Sequence, residues 1–266
     1  MRTITSRQNP TVQAFRELMR KREPADARVL IDGWHLLTEA RQAGVPIECV
    51  AFAANALKSG DAAAAADELV RAGADVFAVA GPVMEALSPV RTSSGVVAIG
   101  RREEASLATV FGQPTPLVLI AIDVQDPGNL GAMIRAAEAA GATGLVACGA
   151  SADPFGWKAL RGSMGSAFRL PIARASIDEA MQAARAAAVP IFAAVARVGH
   201  PVFDTDLSGP AALLLGAEGS GLPMGLLQQA DAMISIPMRA PVESLNVAVA
   251  AALLLYEAMR QRSTAR

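Results

Sequence analysis

Leu117–Ile122 is an unbroken apolar run of six residues that ends abruptly in Asp123-Val124-Gln125-Asp126-Pro127-Gly128. A strand wetted on one side alternates apolar and polar residues; a strand with no polar position is buried on both faces, as in a parallel sheet. Such a sheet needs helices above and below it, and the rest of the chain supplies them. A helix is expected over Asn129–Ala140, ended by Gly141, then a strand at Leu145–Ala147 and a helix around Trp157–Gly165. A strand at Ala167–Pro171, a helix over Ser176–Ala187 and strands at Ile191–Ala194 and Ala211–Leu215 come next. A short helix at Leu222–Ala230, a strand at Met233–Ile236 and a final helix over Ser244–Gln261 complete the series. Pro237 and Pro241 keep the segment before Ser244 out of a helix, and Ser244 is positioned to cap the final helix.

The first hundred residues read as a smaller α/β unit. After an extended lead-in, Thr11–Arg22 places Val12, Phe15, Leu18 and Met19 at helical spacing. Strands are expected at Arg28–Ile31, Ile47–Phe52, Asp75–Val79 and Gly95–Ile99, with helices over Trp34–Ala43, Ala62–Arg71 and Pro82–Leu87. From Arg101 to Pro116 the composition turns charged and then Gly/Pro-rich, as a linker does. The expected division is therefore 1–104, a linker at 105–115, and 116–266.

Several function classes fall away early. At 52% hydrophobic and 18% charged, the 266-residue chain is far from the composition of disordered proteins. Cys49 and Cys148 sit in apolar runs as buried thiols of a reducing compartment, and two isolated histidines do not make a zinc site, so no metal is expected. No secretory signal and no membrane span is visible, so a soluble cytoplasmic protein is expected. Net charge is −1. The first thirty residues differ, carrying Arg2, Arg7, Arg16, Arg20, Lys21, Arg22 and Arg28 against Glu17, Glu23 and Asp26. A solvated helix face and a phosphate-contacting N-terminal arm both fit that excess.

In a parallel sheet, ligands sit beyond the carboxyl ends of the strands. Three polar loops should therefore converge: Asp126–Gly131, with Arg135 beyond it; Gly216–Pro223, which holds Glu218; and Pro237–Asn246. None carries G-x-G-x-x-G, and no acidic residue closes the strand Leu145–Ala147, which disfavours a dinucleotide oxidoreductase.

Taken together, Asp126-Pro-Gly-Asn-Leu-Gly through Arg135 to Gly141, Leu215-Gly-Ala-Glu-Gly219, and Ile236-Pro-Met to Ser244-Leu-Asn246 resemble the SpoU family of RNA ribose 2′-O-methyltransferases, within the SPOUT superfamily. Lys158–Gly165 and Phe168–Pro171 match the segment between these motifs. The N-terminal part is similar to the L30e-like substrate-binding domain of that family, although Asp32-Gly33 replaces the more usual Glu-Gly.

The resemblance implies a trefoil-knotted C-terminal domain that binds S-adenosylmethionine through Leu215, Gly216, Ile236 and Leu245. It implies methyl transfer to a ribose 2′-hydroxyl of RNA, ribosomal in preference to transfer RNA. Arg135, Asn129, Glu218, Ser244 and Asn246 would form the catalytic set, with Glu218 as the partner that fixes Arg135. A homodimer through the C-terminal domain is implied too, and the basic segment Arg2–Arg28, Arg20 and Arg22 included, would contact RNA. The alternative is a catalytically silent RNA-binding or assembly protein on the same fold.

Overall fold

The computed structural model describes residues 1–20, 22–23 and 25–264, so Lys21 of the basic segment lies outside the described residues. The chain divides into two compact units, Met1–Glu103 with Phe155–Phe168, and Glu104–Pro154 with Arg169–Arg266.

Unit 1 runs β1 (Arg2–Ile4), α1 (Pro10–Arg20), β2 (Arg28–Asp32), α2 (Trp34–Gln42), β3 (Ile47–Ala53), α3 (Gly60–Arg71), β4 (Asp75–Val79), α4 (Gly81–Leu87) and β5 (Val96–Arg101). Its sheet order is β1-β4-β3-β5-β2, with β5 antiparallel to both neighbours and the other pairs parallel. Val12, Phe15 and Leu18 form the buried stripe of α1 and pack with Ile4, Phe77 and Leu87. The lead-in is thus partly a strand, pairing Arg2–Ile4 with Phe77–Val79.

The next elements are α5 (Leu107–Phe111), β6 (Leu117–Ile122), α6 (Pro127–Ala139), β7 (Gly144–Cys148), α7 (Trp157–Ser163), β8 (Ile172–Ala175), α8 (Ile177–Ala186) and β9 (Ile191–Val195). After them come β10 (His200–Pro201), β11 (Ala211–Leu215), α9 (Met224–Leu227), β12 (Ala232–Ser235) and α10 (Val247–Thr264). Seven strands form one sheet, ordered β10-β12-β9-β11-β6-β7-β8, and every pair is parallel. All residues of β6 and β11 are buried, which is what their unbroken apolar sequences require.

Three expectations need correction. Residues 105–115 are not a plain linker: Ser106 caps α5, whose Val110 and Phe111 are buried in the unit 2 core. The strand expected at Ala167–Pro171 is a 3-10 turn at Ser166–Phe168 followed by β8, which starts only after Pro171, a residue without an N–H to give the ladder. The segment carrying α7 groups with unit 1, not with the domain whose sequence surrounds it. Arg161 of α7 lies 3.7 Å from the Asp32 carboxylate, which also accepts the Ser88 hydroxyl at 2.9 Å. Gly165 (φ +93°) allows this fit, because a Cβ there would stand 2.6 Å from Glu39 Cβ.

The far end of α10 is anchored inside unit 2. Buried Glu257 accepts from Arg260 Nε at 2.9 Å and from Gln261 Nε2 at 2.8 Å, while the Arg262 guanidinium reaches the carbonyls of Gly209, Thr115 and Pro116. The Arg260 guanidinium holds Glu257 below the usual carboxylate range. A folded-state pKa below the unfolded value, about 4.3, gives stability that is complete above that value and drains as pH falls through the folded one. Thermal melts from pH 5 down to pH 2 should therefore fall less steeply for Glu257→Gln than for the wild type. Parallel curves for the two would contradict this.

Candidate active site

The ends of β6, β11 and β12 bring the three polar loops together around the start of α10. Asp126 caps α6, its Oδ1 accepting from the Asn129 backbone N–H at 2.7 Å, which fixes Asn129 in the first turn. The loop after β11 is tight: Gly221 N–H donates to the Ala217 carbonyl at 3.0 Å, with Gly219 and Gly221 at positive φ. That turn presents Glu218. Asn246, and not Ser244, caps α10, its Oδ1 accepting from the N–H groups of Ala248 (3.0 Å) and Val249 (3.3 Å). An Asn side chain reaches the N–H two residues on, whereas Ser244 is too early in the chain for the helix that forms.

These three side chains meet. Glu218 Oε1 accepts from Asn129 Nδ2 at 2.9 Å and from Asn246 Nδ2 at 2.8 Å, and Asn246 Nδ2 also donates to Asn129 Oδ1 at 3.1 Å. The Val247 N–H at the mouth of α10 points to the same carboxylate oxygen at 3.5 Å. One carboxylate thus joins three loops that are distant in sequence, and the positive end of α10 favours its charge.

Arg135 is not part of this network. It stands exposed on α6, without a hydrogen bond or ion pair among the described residues. The expectation that Glu218 fixes Arg135 is therefore corrected: among the described residues the carboxylate makes no contact with Arg135, and its Oε1 is held by two amides.

Beside the network lies a cavity of about 350 Å³. Leu215, Gly216, Ile236 and Leu245, the four expected cofactor contacts, all line it, as do Glu218, Ser244 and Asn246. Ala194, Val195 and Ala196 form a wall that the sequence did not disclose. They lie at the end of β9, which the sheet order places between β12 and β11, so this stretch opens onto the same edge. A Cβ on Gly216 would stand 2.3 Å from the Gly221 carbonyl oxygen, so the loop can close only over glycine. Apolar walls with a rim of loop backbone and a few polar groups fit a flat heterocycle carrying polar ends, as S-adenosylmethionine does.

Among the described residues, no three His, Cys, Asp or Glu side chains stand together as metal ligands, and no helix is long and apolar enough to cross a membrane. Cys49 and Cys148 are free, and burial pushes both thiols up to about 12.

Residues 116–256, which hold all three loops, match the SpoU rRNA Methylase family. The chain belongs to this family. Residues 9–98 match the MRM3-like substrate binding domain. Along nearly its whole length the chain is similar to the 23S rRNA (guanosine(2553)-2′-O)-methyltransferase RlmP of Bacillus subtilis, at 32% identity over 96% of this chain and 98% of that one. Among solved structures, the AdoMet-bound rRNA methyltransferase from Sinorhizobium meliloti superposes with a TM-score of 0.86 at 32% identity, covering 97% of each chain. The SpoU methyltransferase AviRb from Streptomyces viridochromogenes, in complex with AdoMet, gives 0.86 at 31% identity, over 97% of this chain and 100% of that one. These family relatives fold as α/β proteins with the same parallel-sheet domain.

Proposed function

We propose that this protein transfers a methyl group from S-adenosylmethionine to a ribose 2′-hydroxyl of ribosomal RNA. The observation that carries the reading is the Asn129–Glu218–Asn246 network standing beside an apolar cavity lined by Leu215, Gly216, Ile236 and Leu245. In this reading unit 1 is an L30e-like domain that selects RNA, and residues 116–266 outside α7 form the SPOUT methyltransferase domain, knotted as in the family. The return of α10 from the β12 end of the sheet to pack on α6 and β11 supports such a crossing. The two reduced thiols support a cytoplasmic setting.

When bound, the cofactor supplies an electrophilic methyl group on a positively charged sulfur. The protein's task is to present a ribose oxygen in line with it and to stabilise the charge that develops there. Glu218 holds both asparagine amides in one orientation, so the cavity rim is organised before substrate arrives. Arg135 is assigned the ribose oxygen, where its positive charge would stabilise the negative charge left as the 2′-hydroxyl releases its proton to solvent. A guanidinium keeps its proton to above about pH 12, so it acts as a fixed positive charge and not as a base. Ser244, which lines the cavity, would orient the ribose.

The free position of Arg135 also supports a homodimer. On α10, Val249, Leu253 and Tyr256 form an exposed apolar stripe at helical spacing, on the helix that packs against α6, the bearer of Arg135. A second copy seated there would cover the stripe and enclose the arginine. Sedimentation of the wild-type chain as a single-subunit species would remove the dimer from this reading.

Arg135→Ala tests the assignment. Methyl transfer should fall on the order of 10²–10³-fold, as it does when one charge-stabilising donor is lost. Cofactor affinity, measured by calorimetry, should stay at the wild-type value, because Arg135 does not line the cavity. Transfer at the wild-type rate would remove Arg135 from the site.

A further inference from the structure

The basic N-terminal segment does not act as one patch. Arg2 is paired with Asp75 at 3.0 Å and Arg28 with Asp26 at 2.7 Å. Arg22, expected at the RNA surface, is buried: its Nε donates to the Arg28 carbonyl at 3.0 Å and its guanidinium lies 5.4 Å over the Phe155 ring. The remaining charge is concentrated. Arg7, Arg16 and Arg20 line one cleft of about 550 Å³ between α1 and α4, together with Met19, Ala86 and Glu85.

We propose that this cleft is a phosphate-binding site for the RNA backbone, and that it anchors the substrate on unit 1; the inference rests on RNA being the substrate. Arg16 and Arg20 stand four residues apart on one face of α1, exposed and without a polar partner among the described residues. Like charges at that spacing are mildly unfavourable in a helix, and a bound phosphate would offset that repulsion. Arg7 brings a third guanidinium from outside the helix, held by its Nε donating to the Pro82 carbonyl at 2.7 Å. Among the described residues the one carboxylate in the lining, Glu85, lies 3.5 Å from Arg7 and occupies it in the free protein. Three arginines lining one cleft fit consecutive phosphates of a strand and read no base, so the site contributes affinity without sequence preference. Arg20 also borders a neighbouring cleft with Glu17, Glu23 and Asp26, and would turn from these carboxylates to the phosphate.

Binding of the full chain to an unmodified 23S rRNA transcript and to a uridine homopolymer, titrated across salt, tests this. The double variant Arg16→Gln/Arg20→Gln should bind both RNAs on the order of tenfold more weakly, and the slope of log affinity against log salt should shrink by about 1.5, the share of two phosphates. Its affinity for S-adenosylmethionine should not change. Glu85→Gln should bind both RNAs more tightly, because it frees Arg7 and removes a like charge from the phosphate's path. A wild type that binds RNA, with variants of equal affinity and slope, overturns the cleft and leaves the RNA reading standing. A wild type that binds neither RNA overturns both. Should the double variant fail to fold, Glu85→Gln decides: unchanged affinity and slope for that variant overturn the proposal.

Discussion

Glu218→Ala should lower methyl transfer by about two orders of magnitude, the scale expected when reacting groups lose their alignment. One oxygen of Glu218 accepts from the amides of Asn129 and Asn246 and faces the Val247 N–H. Removing it frees two side chains from two loops together and leaves the mouth of α10 without its negative partner. Glu218→Gln should fall between alanine and wild type. It keeps an acceptor oxygen in place but gives up the charge that makes such bonds roughly twice as strong as neutral ones. Since Glu218 is exposed, the fold should survive both changes. Cofactor affinity should drop far less than turnover, which separates misalignment from loss of the pocket. An alanine variant that turns over at the wild-type rate would mean the network is only a loop fastener.

Gly216→Ala is expected to act on binding instead. The added Cβ would lie 2.3 Å from the Gly221 oxygen, 2.4 Å from its carbonyl carbon and 2.7 Å from the Leu222 nitrogen. All three are backbone atoms, so no rotamer change relieves the contact, and the loop carrying Glu218 must open. Because that loop lines the cavity, affinity for S-adenosylmethionine should fall at least on the order of 100-fold, as losses from backbone strain do when a whole wall moves. Gly225→Ala in α9 is the control: its Cβ would meet nothing within 4 Å, and calorimetry should show unchanged affinity. Equal binding by the Gly216 and Gly225 variants would contradict the assigned geometry.

How much of the fold is legible in the sequence depends on the physics of each signal. β6 and β11 fall on their expected boundaries because burial on both faces leaves no polar residue to blur them. α8 announces itself through Ser176 and Glu179, which form a reciprocal capping box. β1 and β10 span three and two residues, too short for any periodicity, and exist only through the partners they find. Arg22 reads as surface because arginine usually is; only the Phe155 ring, far along the chain, makes its burial intelligible. The same holds for α7, whose grouping with unit 1 depends on Asp32 and Glu39. At the site, the three loops are legible as motifs and the sheet order explains why they meet. Which groups pair is not legible. Spacing cannot say that Glu218 holds two asparagines in place of an arginine, nor that Asn246 displaces Ser244 as the cap.

Chemistry at a ribose oxygen is read out in the nucleoside content of RNA treated with the protein. Unmodified 23S rRNA transcript is incubated with the wild-type chain and isotopically labelled S-adenosylmethionine, digested to nucleosides and analysed by mass spectrometry. The label should appear in a single 2′-O-methylated nucleoside and fall to about a hundredth of that level when Glu218→Ala replaces the wild type. Label on a base, or none in RNA that the protein demonstrably binds together with the cofactor, would contradict ribose methylation.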